Sequence, residues 1–239
     1  MIQGVAGQSG FEELDAAVTQ IIGRDDRVYF NAHLDQSAVP SGAVVYNLEN
    51  VGIQLQPKRF FARQRVWDFS QRNVSRWRAV GRDAVYVPVG FHPSMVRFTP
   101  RPWLERKNDV AFIGCMNARR QAVLDDLRRR GLRVQGIFGV FGTARDDILA
   151  HSRVILNMLY YDDGVFPVLR QIHAVANGLP VVSETAPEAP GWVHPGPVPY
   201  HLLADRVYEL ARASAENVDA VVRYALSALS PHRLLLPRL

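Results

Sequence analysis

The chain of 239 residues is 48% hydrophobic and 21% charged, with a formal net charge of +5. These proportions suit a globular protein of one large or two small domains, and exclude a disordered tail, a repeat array or a coiled coil. Cys115 is the single cysteine, which excludes an intrachain disulfide and a cysteine-based zinc cluster.

No apolar run approaches the roughly 18 residues that cross a bilayer. The opening stretch, MIQGVAGQSGFEELD, has neither the basic start nor the apolar core of a signal peptide, so a cytoplasmic location is expected. Lys58 and Lys107 are the only lysines. The other basic residues are arginines, whose planar guanidinium pairs bidentately with phosphate, and an anionic ligand is expected. The arginines are dispersed, without a basic tail or a nucleic-acid motif, so no nucleic-acid partner is expected.

Taken in order, Phe11 to Ile22 has helical spacing, with Phe11, Leu14, Val18 and Ile21/Ile22 on one face and Gly23 as a C-cap. Arg27 to Asn31 reads as a strand, with the polar loop His33 to Ser37 at its end. Ala43 to Asn47 is the next strand, and Leu48, Glu49 and Asn50 lie just beyond it. Phe60 to Val80 reads as one helix or two short ones. Ala84 to Val87 is a strand ending at Pro88, and Gly90 to Pro93 forms a turn. From Pro93 to Asn108 the pattern is broken by Pro93, Pro100 and Pro102, and this stretch reads as a linker between lobes at 1–98 and 109–239.

The strand pattern restarts at Asp109 to Ile113 and ends at Gly114. A helix follows over Asn117 to Arg130, with Val123, Leu124 and Leu127 on its buried face, and then a strand over Leu132 to Phe138. Phe138 to Gly142 is a glycine-punctuated loop before a short helix, Asp146 to His151. The unit from Arg153 to Glu188 combines a strand ending at Asn157, a polar loop over Tyr160 to Gly164, a helix over Phe166 to Ala176 and a strand over Leu179 to Val182. Helices at Leu202 to Ser214 and Ala215 to Leu229 close the chain. This alternation predicts an α/β fold of two Rossmann-like lobes with parallel sheets, the N-terminal lobe reduced. Polar residues gather where strands end, the place where open α/β sheets bind ligands.

Several chemistries find no support. The nucleophile elbow Gly-x-Ser-x-Gly, the Walker pattern and Gly-x-Gly-x-x-Gly are all absent. Three stretches carry a resemblance instead: FIGCMNARR (Phe112 to Arg120), VFGTARDDILAHSRVILNMLYY (Val140 to Tyr161) and FPVLRQIHAVANGLPVVSE (Phe166 to Glu184). With YNLEN, VWDFSQRN and YVPVGFHP in the first half, they resemble family-1-like glycosyltransferases of the GT-B architecture, in particular the bacterial spore-maturation-glycosyltransferase group.

The resemblance implies transfer of a sugar from a nucleotide-diphosphate sugar to a hydroxyl on a glycan, small molecule or protein. Donor binding would fall to the C-terminal lobe, with no metal and no cofactor beyond the donor itself. A peripheral membrane or homo-oligomer contact is compatible with it. A non-catalytic nucleotide-sugar-binding module, or one dependent on a partner chain, is the alternative. Many members have a glutamate at the position of His173, where it holds the donor ribose.

The donor-side candidates are Gly114, Asn117, Arg119, Arg120, Asn157, Tyr160, Arg170, His173 and Glu184. Arg119 and Arg120 open a helix behind a glycine turn and read as a diphosphate clamp or as a solvated helix face. Arg170, on an apolar helix, needs a partner: donor diphosphate, or Asp162 or Asp163. Glu184 ends a strand and could accept from sugar or ribose hydroxyls, or cap the following segment. Asn157, Tyr160 and His173 read equally as pocket walls and as satisfied structural groups. The base that deprotonates an acceptor hydroxyl is sought among Glu49, His33 and His92, each just past a strand end. Asp35 shares that placement, and Asp68 is less well placed.

Overall fold

A computed structural model describes residues 12–22, 28–30, 39–53, 56–193 and 196–237. Gly23, His33 and Asp35 lie outside the described residues. The chain divides into two compact units, Met1–Gly90 with Leu234–Leu239, and Phe91–Arg233.

The first unit contains α1 (Glu12–Ile22), β1 (Val28–Phe30), β2 (Val44–Asn47), β3 (Arg65–Asp68), α2 (Gln71–Arg78) and β4 (Ala84–Tyr86). Its four strands pair in parallel in sequence order, β1-β2-β3-β4. β2 is buried at every position, as expected of a parallel strand covered on both faces. Val45, Val66, Val74, Trp77 and Phe61 belong to the core that covers this sheet.

The helix expected over Phe60 to Val80 is replaced in part by strand β3. Val66, Trp67 and Asp68 are buried consecutively, so both faces of the segment are covered and helical spacing is lost. Helix α2 starts only after Ser70, whose Oγ accepts from Asn73 N at 3.1 Å as an N-cap.

The second unit contains β5 (Asn108–Ile113), α3 (Ala118–Arg129), β6 (Val134–Ile137), α4 (Gly142–Ala150), β7 (Ser152–Asn157), α5 (Val168–Ala176), β8 (Val181–Ser183), α6 (Leu203–Arg212) and α7 (Ala215–Leu229). Helix α4 begins at Gly142, four residues before the expected Asp146. The strands pair in parallel in the order β6-β5-β7-β8. Val110, Phe112, Val154, Leu156 and Val182 enter the core formed with α3 and α6. Ala111, Ile155 and Val181, also buried, alternate to the other face, where α4 packs on β7 and α5 on β8.

The proline-broken stretch before β5 belongs to this second unit. Asn177, at the end of α5, clamps it. Its Oδ1 accepts from Arg97 N at 2.6 Å and Phe98 N at 2.9 Å, and its Nδ2 donates to Met95 O at 2.9 Å.

Candidate functional site

In the second sheet the chain leaves β5 towards β6 and then returns across β5 to β7. The direction of winding therefore reverses between β5 and β7, which places a crevice at their C-terminal ends. The segments that leave these ends are Gly114–Asn117 and the loop from Met158 to Pro167. Gly114 has φ 143, a region that favours glycine. A Cβ there would stand 3.0 Å from Arg170 Nη1 and 3.3 Å from Arg120 Nη1, so the bare backbone lets two guanidinium groups converge on one point.

Arg120 is buried, at 3% exposure, and its hydrogen bonds run to main-chain carbonyls. Nε donates to Leu159 O at 3.1 Å, Nη1 to Cys115 O at 2.7 Å and Nη2 to Met158 O at 2.5 Å. Its guanidinium also lies 5.1 Å from the ring centres of both Phe112 and Tyr160. Burial, followed by repulsion from Arg170, pushes Arg120 down to about 10. Arg170 is exposed and donates from Nη1 to Ile113 O at 3.1 Å. Two like charges with a converging approach, beside the N-terminus of the twelve-residue helix α3, form an electrostatic setting for an anion.

Arg119, the neighbour of Arg120, is held differently. It forms a bidentate ion pair with Glu184, through Nη2 to Oε1 and through Nη1 to Oε2 at 2.8 Å. Its Nε lies 3.0 Å from Asp162 Oδ1, and its guanidinium stacks 3.8 Å from the Tyr200 ring centre. The Glu184 hydrogen bond outweighs burial and raises Arg119 above its ordinary value. Glu184 is itself buried and accepts from Leu159 N at 2.9 Å. The pair thereby fixes the loop whose Met158 and Leu159 carbonyls hold Arg120.

Asn117 caps α3, with Oδ1 accepting from Arg120 N at 2.9 Å, and ties the two loops through Nδ2 to Tyr160 O at 2.9 Å. Tyr160 is partly exposed beside Arg120. Asn157 is buried, with Nδ2 donating to Ser183 Oγ at 2.8 Å. Gly114, Asn117, Arg119, Arg120, Tyr160, Arg170 and Glu184 thus gather at one end of the second sheet.

His173 lies one turn after Arg170 on α5 and is turned inward. It is 1% exposed, with Nε2 2.9 Å from Asp146 Oδ1 and its ring edge-on to Phe98. Arg97 and Arg145 also donate to Asp146, at 2.8 and 2.9 Å. Burial pushes the Asp146 carboxyl upward, but the hydrogen bonds from His173, Arg97 and Arg145 outweigh it and hold the group well below the usual carboxylate range.

Of the base candidates, His92 caps the short 3-10 turn Pro93–Met95, its Nδ1 accepting from Ser94 N at 3.3 Å. Glu49 follows β2 and is half-buried, and its carbonyl accepts from Asn47 Nδ2 at 3.0 Å and Asn73 Nδ2 at 2.9 Å. His33 lies outside the described residues.

The roles of three residues, Tyr200, Asp146 and Asp68, show only in the folded chain. Tyr200 joins the site through its ring and through its hydroxyl, which donates to Arg119 O at 2.7 Å. Asp146 is one more acid on an ordinary helix until its partners are seen. Asp68, at the end of β3, is fully buried and accepts from Asn47 Nδ2 at 2.6 Å, Ser70 N at 2.9 Å, Trp77 Nε1 at 2.9 Å and Asn73 Nδ2 at 3.1 Å. Burial pushes its carboxyl up to about 7, while those hydrogen bonds act in the opposite sense. Among the described residues, no three His, Cys, Asp or Glu side chains gather as a metal-binding group. No described helix is long and apolar enough to cross a membrane.

No family model matches the chain. An uncharacterised protein of Acanthamoeba polyphaga mimivirus is 30% identical over 104 residues, which make up 42% of this chain and 12% of that protein. Among solved structures, a DNA-modifying β-glucosyltransferase, determined with and without uridine diphosphoglucose, superposes with a TM-score of 0.52 at 13% identity. The match covers 96% of this chain and 82% of that one. The accessory secretory protein 1, 2 and 3 structure of Streptococcus pneumoniae has a TM-score of 0.45 at 9% identity, covering 91% of this chain and 52% of that one. A GtfA/B complex bound to UDP and GlcNAc has a TM-score of 0.37 at 11% identity, covering 94% and 57%. The chain thus spans 52% and 57% of the lengths of those last two. What is shared with the β-glucosyltransferase is the fold: two parallel α/β units of the GT-B type.

Proposed function

We propose that the protein is a metal-independent glycosyltransferase that takes its sugar from a nucleotide-diphosphate donor and passes it to a hydroxyl acceptor. The observation that carries this reading is the convergence of Arg120 and Arg170 on Gly114, at the winding reversal of the second sheet. A diphosphate seated there would meet two cations and the positive end of α3. These charges would be worth most as the glycosidic bond breaks and negative charge grows on the leaving diphosphate.

The two neighbouring arginines divide the work. Arg170, exposed, would reach the diphosphate directly, while Arg120, buried behind Gly114 with its donors on main-chain carbonyls, would act on it through its charge. Arg119 and Glu184 satisfy each other and keep the 158–160 loop in place, so Arg119 acts by positioning Arg120. His173 serves the buried Asp146 network, so the ribose is left to other groups of the second unit. Glu49 or His33 leads as the acceptor base, and the backbone of Glu49 is anchored by Asn47 and Asn73.

The test is sugar release from a panel of nucleotide sugars, with and without hydroxyl acceptors, alongside binding of the matching nucleoside diphosphates. Binding with transfer or donor hydrolysis supports an enzyme. Binding without either supports the non-catalytic module of the same fold. An absence of binding across the panel removes both readings.

A further inference from the structure

A second charged region lies on the first unit, at the N-terminal ends of its strands. Arg65 opens β3 and donates from Nε to Asp83 Oδ2 at 2.9 Å. Arg82, in the turn before β4, donates to Phe60 O at 2.9 Å and to Lys58 O at 2.7 Å, which brings the 57–60 turn to the same edge. Arg78, in the last turn of α2, donates from Nε to Ala84 O at 2.9 Å. Gly42, just before β2, donates to Arg63 O at 3.3 Å. Six cations, Lys58, Arg59, Arg63, Arg65, Arg78 and Arg82, therefore occupy one edge of this sheet. Among the described residues of these segments, Asp83 is the acid at that edge. Lys58, Arg59, Arg63, Arg65 and Arg78 are exposed.

We infer that this edge is a docking surface for a membrane rich in anionic phospholipid. The cations come from three separate segments, which suits a spread of headgroup charges rather than one bound ion. The aromatic residues of the region are spent on the core: Phe61, Trp67 and Trp77 are 2%, 1% and 0% exposed, and Phe60, half-buried, packs its ring 5.9 Å from that of Phe61. Single-stranded nucleic acid is ordinarily held by aromatic stacking platforms. Groove readers insert a helix or a two-stranded ribbon, whereas α2 turns its C-terminal, partially negative end to this edge. What remains is surface charge, and each Lys or Arg near an anionic leaflet strengthens binding by about fivefold. The surface lies within the first unit and does not depend on the donor site.

Sedimentation of the whole chain with phosphatidylcholine vesicles, with and without phosphatidylserine, tests this. Binding is expected only with phosphatidylserine, and it should fall as salt rises. Combined Lys58→Gln, Arg59→Gln and Arg63→Gln substitutions should weaken it about a hundredfold. The charge-keeping set Lys58→Arg, Arg59→Lys and Arg63→Lys should bind as the parent does, which separates charge from folding. Arg128→Gln with Arg129→Gln, on α3 of the second unit, should leave binding unchanged. The inference is overturned if the glutamine set binds vesicles like the parent, or if the α3 pair weakens binding equally. It is overturned as well if duplex or single-stranded DNA at the same salt binds more tightly than the vesicles and loses that binding in the glutamine set.

Discussion

Arg119 and Glu184 close on each other in a bidentate ion pair, while Arg120, one residue along the same helix, spends its donors on the carbonyls of Cys115, Met158 and Leu159. Two adjacent arginines therefore have opposite electrostatic states. One is neutralised by a carboxylate, and the other is left charged, partly desolvated and next to Arg170.

Glu184→Ala should destabilise the protein by about 3 kcal/mol, the low end for a broken buried pair, because Arg119 keeps Asp162 and some solvent. Nucleoside diphosphate affinity should fall as well, since Leu159 loses the acceptor that fixes its amide. Urea denaturation combined with titration calorimetry measures both. A variant as stable as the parent contradicts the positioning role.

Gly114→Ala meets two obstacles, a backbone at φ 143 and the Arg170 guanidinium at 3.0 Å. The backbone strain should cost on the order of 1–3 kcal/mol. Arg170 is the flexible partner and should be displaced, so diphosphate binding weakens beyond the loss of stability. Unchanged affinity in a folded variant contradicts the convergence at Gly114.

Asp146→Asn leaves Arg97 and Arg145 without their shared anion, and should cost about 3–5 kcal/mol at neutral pH. The folded carboxyl lies below its unfolded value of about 4. The parent's advantage over the variant should therefore be fully present above about pH 4 and shrink as pH falls below it. Denaturation midpoints across an acid series report this, and an advantage independent of pH contradicts it.

Asp68 behaves in the opposite sense. Its folded value, about 7, stands above the unfolded value, so the folded state holds the proton more tightly through that window. The parent's stability relative to Asp68→Asn should decline as pH rises from about 4 towards neutrality and stay level beyond it. A relative stability that rises over the same range contradicts the burial argument.

Much of the second unit is legible in the sequence. The apolar runs at β5 and β7 are long enough to stand out, and Gly114 and Gly178 mark where an element stops. Strand β3 is hidden because only Val66 and Trp67 of its four residues are apolar and polar residues follow at Asp68 and from Ser70 to Asn73, so only pairing with β2 and β4 makes them a strand. The gathered residues Arg119, Arg120 and Glu184 are nameable as candidates from their places at strand and helix ends. Their division of roles is not, because Arg119 and Glu184 are 65 positions apart and meet only through the strand order. His173 reads from its sequence equally as a pocket wall and as a satisfied structural group, and only its partners Asp146 and Phe98 show what it touches. The inward face of α5 meets the Arg97–Phe98 segment, whose docking leaves no periodic trace.

The central claim is tested most directly by titration calorimetry of the whole chain with adenosine, guanosine, uridine, cytidine and thymidine diphosphates, repeated on Arg170→Ala. The account predicts that at least one diphosphate binds the parent, and that Arg170→Ala weakens it by about tenfold or more, the worth of a charge-assisted hydrogen bond. Failure of every diphosphate to bind the parent, or an affinity unchanged in Arg170→Ala, would contradict a diphosphate site at Gly114.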